Sequence, residues 1–175
     1  EESIEVMEKR ALVVDDPKQR IDTLLQAAAT WEEKVENLTA AAAVYERVRQ
    51  GSPGNQVASE RLEAIYRTQY KWEQLAEILL ERYEHKPEID LLVKVAKIYE
   101  TELDNQDAAF SVLQEAFKTD YTHEETAHEL SRLATSTNRW SELLAEYTNR
   151  VQELEREDRV KATDLWVKIG RWYGE

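Results

Sequence analysis

The feature that most constrains the fold is an internal repeat, in which the sequence matches itself at one fixed interval. A shift by that interval places Glu32 on Glu100, Asn37 on Asn105, Val44 on Val112, Leu62 on Leu130, Trp72 on Trp140 and Leu75 on Leu143. Periods of about 20 to 50 residues are typical of repeat architectures, and half of this interval, about 34 residues, falls within that range. The sequence therefore predicts a string of similar units that share one continuous core.

The composition indicates that these units are helical. Only four glycines and three prolines occur in 175 residues, and Ala, Leu, Glu, Lys, Arg and Gln are common, as in helices joined by short connectors. Apolar residues recur at spacings of three and four, and no long stretch alternates between apolar and polar residues. We predict an all-α fold with about ten helices, in which consecutive helices form antiparallel hairpins.

Three stretches share the pattern W-x2-L-G-x2-Y, or a conservative version of it. They are Leu24, Ala27, Ala28 and Trp31; Leu92, Val95, Ala96 and Tyr99; and Trp166, Ile169, Gly170 and Tyr173. The first is followed by Ala41 and Tyr45 and closed by Pro53. Nearly the whole chain resembles the tetratricopeptide repeat (TPR) family, whose helix–turn–helix unit has this signature. The resemblance implies an α-solenoid of antiparallel helix hairpins, a TPR-like right-handed superhelix.

In this register the chain divides into full units at about 21–54, 56–88, 89–122 and 123–157. Half units at 1–16 and 160–175 flank them. Two uncapped half units are typical of a segment cut from a longer array, and open repeat ends provide a route to homo-association.

The units alternate between better and poorer matches. In the poorer ones Glu63 or Ser131, and Leu75 or Leu143, replace small residues, so we expect their helices to lie further apart. Their openings, Lys71-Trp72 and Arg139-Trp140, also resemble half-TPR repeats of RNA-processing scaffolds. The better units carry one extra residue between their helices, at "VENL" and "LDNQ", which predicts a longer turn there.

Small and aromatic residues of the signature have a packing interpretation. A small residue, Ala28, Ala96 or Gly170, allows close approach of the partner helix. An aromatic three residues later, Trp31, Tyr99 or Tyr173, fills the adjacent space. The same register predicts buried faces for Trp72, Trp140 and Trp166, and a crowded neighbour for Gly170.

One stretch, "THEETAHEL", raises the question of a zinc peptidase. His123 and His128 are five residues apart, so on a regular helix they diverge by about 140° and do not share a metal ion. Thr122 followed by Glu125 instead predicts a capping box that opens a helix.

Other catalytic chemistry has no residues to support it. The chain lacks cysteine, and the segment "GSPGN" lacks the Lys and Ser/Thr of a phosphate-binding loop. We therefore predict no enzymatic activity, no cofactor and no metal.

The charge balance narrows the partners. A net charge of −13 disfavours direct binding to nucleic acid, and no apolar run is long enough for membrane insertion. The absence of cysteine is compatible with a reducing compartment, so a cytoplasmic location is favoured.

The resemblance implies a non-catalytic scaffold or adaptor that binds a peptide or helix of another protein in the groove of the superhelix. The positions that correspond to the groove are Glu32, Val57, Glu60, Arg67, Val93, Lys97, Glu100, His128, Arg132 and Arg171. This lining lacks the Lys/Asn/Arg set with which some co-chaperone members hold a C-terminal carboxylate. Two alternatives stay open: a structural, self-associating spacer of a larger assembly, and a half-TPR-like scaffold of an RNA-processing complex.

Overall fold

The computed structural model describes residues 3–174, which form ten α-helices and no strand. The helices are α1 (Ile4–Val13), α2 (Pro17–Glu33), α3 (Leu38–Gly51), α4 (Gln56–Thr68), α5 (Trp72–His85), α6 (Ile89–Thr101), α7 (Gln106–Thr119), α8 (Glu124–Ser136), α9 (Trp140–Glu157) and α10 (Arg159–Trp172). The predicted all-α class and the number of helices are confirmed. None of the helices in this part of the chain combines the length and apolar character needed to cross a bilayer. The predicted half units also include residues 1–2 and 175, which lie outside the described range.

The odd-numbered helices begin at a fixed spacing, which is half of the interval at which the sequence repeats. Their first residues are Ile4, Leu38, Trp72, Gln106 and Trp140. Four turns that precede them each contain a non-glycine residue with φ between 49° and 57°, at Glu36, Tyr70, Asp104 and Asn138. Such residues are uncommon because the side chain crowds the backbone. Since these four follow the same spacing, the turn is built in the same way each time, and the predicted period is confirmed.

The turns have two lengths. Four residues, 34–37 and 102–105, join α2 to α3 and α6 to α7, whereas three residues, 69–71 and 137–139, join α4 to α5 and α8 to α9. The extra residue predicted at "VENL" and "LDNQ" is therefore confirmed. In the long turns Asn37 and Asn105 cap the next helix, each side chain accepting a hydrogen bond of 3.0 Å from a backbone N–H.

The helices divide after Pro87 into unit 1, with α1 to α5, and unit 2, with α6 to α10. Within each unit every helix packs on the next one in the chain. Because the connectors within a unit are one to four residues long, neighbouring helices run antiparallel. Each unit is thus a series of helix hairpins, as the TPR-like fold requires.

Ion pairs between alternate helices reveal two layers within each unit. In unit 1, Glu8 of α1 lies 2.7 Å from Arg47 of α3, and Arg49 of α3 bonds to Glu81 of α5. In unit 2, Glu100 of α6 lies 2.5 Å from Arg132 of α8. Odd-numbered helices therefore lie beside odd-numbered ones and even-numbered beside even-numbered ones.

Close and wide hairpins alternate along the chain. Ala41 and Ala109 are fully buried in the second helices of α2/α3 and α6/α7, and Leu75 and Leu143 are fully buried at the same register in α5 and α9. The alanine hairpins approach closely over much of their length, whereas α8 and α9 do so at only a few positions. The prediction that the helices of the poorer hairpins lie further apart is confirmed.

An aromatic cluster fills the core of unit 2. The rings of Phe117, Tyr121, Tyr147 and Trp172 lie with centroids 5.0 to 6.4 Å apart, mostly edge to face. Trp140 contacts the edge of Trp172 at 6.2 Å. Burial raises the pKa of Tyr147.

The predicted register of α10 is wrong. This helix buries Ala162, Leu165, Lys168, Ile169 and Trp172. Trp166 is 43% exposed and Tyr173 is 66% exposed, and a Cβ added to Gly170 would meet no atom within 4 Å. Of the signature residues only Ile169 is buried; Trp166, Gly170 and Tyr173 lie on the side of α10 that α8 and α9 leave uncovered, so Gly170 has no crowded neighbour. Trp72 and Trp140 are half-buried.

The predicted capping box at the start of α8 is also wrong, although a helix does begin there. His123 is the N-cap and accepts a hydrogen bond of 3.3 Å from the Thr126 N–H. Thr122 instead donates through its hydroxyl to Asp120, at 2.6 Å, which holds the pKa of Asp120 below its usual value. The helix begins one residue later than the capping box requires, so Thr122 precedes the N-cap and both its N–H and its hydroxyl bond to Asp120.

Candidate functional site

A groove between α6 and α8 forms a concave surface in unit 2. It encloses about 330 Å³. Its lining consists of Val93, Ala96, Lys97, Glu100 and Thr101 from α6, Leu113 from α7, and Glu125, Glu129 and Arg132 from α8. Four of the predicted site residues, Val93, Lys97, Glu100 and Arg132, are therefore brought together. We call this surface the α6/α8 groove.

The α6/α8 groove has an apolar floor and a charged rim. Ala96 and Leu113 are buried, and Val93 is half-buried beside them. Above this floor the rim carries Glu100, Glu125 and Glu129 against Lys97 and Arg132. The rim thus has one more negative charge than positive, in a protein that is itself strongly acidic.

Arg132 joins both walls of the groove. Its two terminal nitrogens donate to Glu100 of α6 at 2.9 and 2.5 Å, and its Nε donates to Glu129 at 3.0 Å. This bidentate geometry raises the pKa of Arg132. Burial alone would raise the pKa of Glu129, but the hydrogen bonds and charges of Arg132 and His128 together outweigh that effect, and the pKa is lowered.

Lys97 and Glu125 are the rim charges left open. Neither forms an ion pair with the described residues, 3–174. Because Glu100 and Glu129 already accept hydrogen bonds from Arg132, Glu125 is the carboxylate with the most free capacity to accept a donor from a partner.

A smaller recess of about 130 Å³ lies between α8 and α10. Two more predicted residues, His128 and Arg171, line it, together with Glu124, Ala127, Ser131, Lys168 and Trp172. Lys168 is only 5% exposed, and its Nζ lies 2.5 Å from Glu124. This contact, with a weaker one to Arg171 at 3.4 Å, lowers the pKa of Glu124. The even-numbered helices of unit 2 therefore line two recesses, one between α6 and α8 and one between α8 and α10.

The other four predicted residues lie on α2 and α4 of unit 1. Glu32 accepts a hydrogen bond of 3.0 Å from the Tyr45 hydroxyl, and burial together with this carboxylate raises the pKa of Tyr45 to about 12. Glu60 accepts a hydrogen bond from Gln56, and Arg67 pairs with Glu63 one helical turn away. Val57 is half-exposed on the same face of α4. Glu32 therefore has a structural partner, and the other three lie on the open surface.

The charged residues of the unit 2 recesses that the predicted set lacks include Glu129 and Lys168. Glu129 precedes Arg132 by three residues and Lys168 precedes Arg171 by three, so each shares a helix face with a predicted residue. The three-residue spacing was the sequence signal that could have identified Glu129 and Lys168. No group of three or more His, Asp or Glu side chains that could hold a metal occurs among residues 3–174.

Comparisons with known proteins find structural similarity only. No family model matches the sequence, and no curated protein matches it. The crystal structure of YrrB, described as a TPR protein with an unusual peptide-binding site, is 15% identical with a TM-score of 0.47, covering 99% of this chain and 95% of that one.

Two further structures are similar to the same degree. A MamA crystal structure is 12% identical with a TM-score of 0.47, covering 98% and 86% of the two chains. TTC0263, a thermophilic TPR protein in Thermus thermophilus, is 21% identical with a TM-score of 0.40, covering 98% and 89%. These superpositions are loose, so the TPR-like fold is assigned from the helix register and hairpin packing of the chain itself.

Proposed function

We propose that the protein is a non-catalytic scaffold whose α6/α8 groove binds a helix or extended peptide of a partner protein. The observation that carries this proposal is the convergence of Val93, Lys97, Glu100 and Arg132 on one groove with an apolar floor. An apolar floor under a polar rim is the usual anatomy of a peptide-binding groove.

The rim charges favour a partner with basic residues. Glu125 is open, the rim carries a surplus carboxylate, and the net charge of −13 attracts cations at longer range. The partner segment we propose therefore presents an apolar side chain to Val93 and a Lys or Arg to Glu125. Its sequence stays undefined beyond that chemistry.

A matched panel of labelled peptides tests this proposal by fluorescence anisotropy. The peptides are amphipathic, of equal length and helical propensity, and carry Lys, Gln or Glu on the polar face. We expect the Lys peptide to bind most tightly and to lose affinity with added salt. Equal binding of the three peptides would contradict the proposed partner chemistry.

Two groove variants and one control locate the binding. Val93→Asp removes the apolar contact and Glu125→Lys reverses the open charge, and each should weaken the Lys peptide about tenfold or more. Val35→Asp changes an exposed valine in the turn before α3, outside the groove, and should leave affinity unchanged. Unaltered binding by both groove variants would mean that another surface is used.

A further inference from the structure

The side of α10 that carries Trp166, Gly170 and Tyr173 is apolar and open. Successive spacings of four and three place these residues on one face. Trp166 and Tyr173 are 43% and 66% exposed, Gly170 leaves room for a close neighbour, and Val167 beside them is 50% exposed. The indole N–H of Trp166 donates to Glu155 of α9 at 3.0 Å, which orients the ring at the edge of this surface. We call this surface the α10 face.

The same face is covered on another helix of the chain. Leu92, Ala96 and Tyr99 of α6 match Trp166, Gly170 and Tyr173 in spacing and type. Leu92 and Ala96 are buried, Tyr99 is half-buried, and α7 packs closely along α6. In this fold the occupant of such a face is therefore an antiparallel helix of the odd-numbered type.

Helix α1 is of that type and has an open side of its own. It begins one repeat period before α3, and Ser3 caps it from the register position at which Asn37 caps α3. It packs on α2 through Ala11, which is buried. Its opposite side exposes Val6 and Val13, at 48% and 77%, and Leu12 on the flank between this side and Ala11 is 70% exposed.

Charges at the helix ends match when α1 of a second copy runs antiparallel to α10. Arg159 and Lys161 are exposed in the first turn of α10, and Asp15 and Asp16 are exposed directly after α1. Antiparallel packing brings these two ends together, and the N-terminal end of the α10 dipole favours the same carboxylates. At the other end Arg171 meets the turn of α1 that contains Glu5.

We propose that the protein self-associates head to tail, with α1 of one copy packing on the α10 face of the next. The contact joins two different surfaces, so a dimer keeps one free α10 face and one free α1, and further copies can add. This inference is independent of the α6/α8 groove, whose lining it does not use.

Two blocked variants test the geometry in sedimentation velocity experiments across a wide concentration range. The α1-blocked variant carries Leu12→Glu and Val13→Glu, and the α10-blocked variant carries Trp166→Glu and Val167→Glu. All four positions are exposed, so both variants should fold. Circular dichroism will verify this. The parent protein should form larger assemblies as its concentration rises, and each variant alone should stay monomeric. An equimolar mixture should form a one-to-one dimer and stop there.

Three outcomes would overturn the proposal: a parent protein that is monomeric at all concentrations, an α1-blocked variant that still assembles, or a mixture that stays monomeric. Assembly of the α1-blocked variant would indicate that α10 pairs with itself. Val35→Glu is the control, since it adds a negative charge at an exposed valine elsewhere, and it should assemble like the parent.

A charge exchange tests the orientation. Arg159→Glu or Asp15→Lys alone should weaken assembly about two- to fivefold, and the two together should restore it. If the double variant assembles more weakly than either single variant, the antiparallel pairing is wrong. Peptide binding in the α6/α8 groove should persist in the blocked variants, so failure here and failure of the proposed function are distinguishable.

Discussion

The hairpins α6/α7 and α8/α9 belong to one unit and are built on the same repeat period, yet they pack differently. The first has a four-residue turn, an asparagine cap and Ala109 where the helices approach closely. The second has a three-residue turn, no side-chain cap at Arg139, and Leu143 at the equivalent position. The unit 1 hairpins α2/α3 and α4/α5 repeat the same contrast.

This difference teaches that the period and the interhelical distance are specified separately. A left-handed residue recurs at the same place in each turn, while a buried alanine accompanies close packing of the hairpin and a buried leucine accompanies wider packing. A wide hairpin is therefore as well packed as a close one, because its leucine fills the space between the more distant helices.

The largest expected effect on stability comes from creating a cavity in the wide hairpin α8/α9. Leu143→Ala should lower the free energy of unfolding by about 2 to 5 kcal/mol, because α8 and α9 do not close over the cavity. Urea denaturation of the variant and the parent measures this. A loss below about 1 kcal/mol would show that α8 and α9 close over the space left by Leu143, which would contradict the distinction between close and wide hairpins.

Overfilling the close hairpin is expected to cost less. Ala109→Leu should lower the free energy of unfolding by about 1 to 3 kcal/mol, because the added atoms have no space between α6 and α7. Ser111→Leu, at an exposed position of the same helix, is the matched control and should stay within about 0.5 kcal/mol of the parent. If the two variants melt alike, close packing at Ala109 is contradicted.

The helix caps provide a smaller test. Asn37→Ala removes the bond to the Ala40 N–H and should cost about 1 kcal/mol. Lys71, one repeat period later, occupies the N-cap position of α5 without a side-chain bond, so Lys71→Asn should stabilise the protein by a similar amount. Thermal unfolding of both variants and the parent under identical conditions measures the two effects. Destabilisation by Lys71→Asn would show that the three-residue turn does not allow an asparagine cap.

The smallest effect is expected at Gly170. Because its Cβ direction is open, Gly170→Ala should raise the free energy of unfolding by about 0.5 to 1 kcal/mol through the better helix propensity of alanine. The measurement is made on the α1-blocked variant, in which self-association does not contribute. A destabilised variant would indicate that Gly170 has a close neighbour after all.

Much of the fold follows from the sequence because the repeat fixes it locally. The extra residue at "VENL" and "LDNQ" and the buried leucines at 75 and 143 both predicted observed features, since turn length and side-chain volume act over short distances. The face of α10 was misassigned because the same signature is buried only where a following helix covers it, as α7 covers α6. A sequence pattern marks a face suited to packing without recording whether that face is occupied.

The candidate site was predictable to the extent that it follows helix periodicity. Val93 and Lys97 are four residues apart, so their common face could be foreseen. The bridge from Arg132 to Glu100 joins two helices at a separation of 32 residues, and its geometry depends on how α6 and α8 lie side by side. That distance is set by packing and is absent from the local sequence.

The most direct test of the scaffold proposal is an NMR titration of the ¹⁵N-labelled α1-blocked variant with the Lys-bearing amphipathic peptide. We expect saturable chemical shift changes concentrated at Val93, Lys97, Glu125 and Arg132, with little change on α7 and α9 away from the groove floor. Changes confined to the odd-numbered helices, or none at saturating peptide, would contradict a binding groove between α6 and α8.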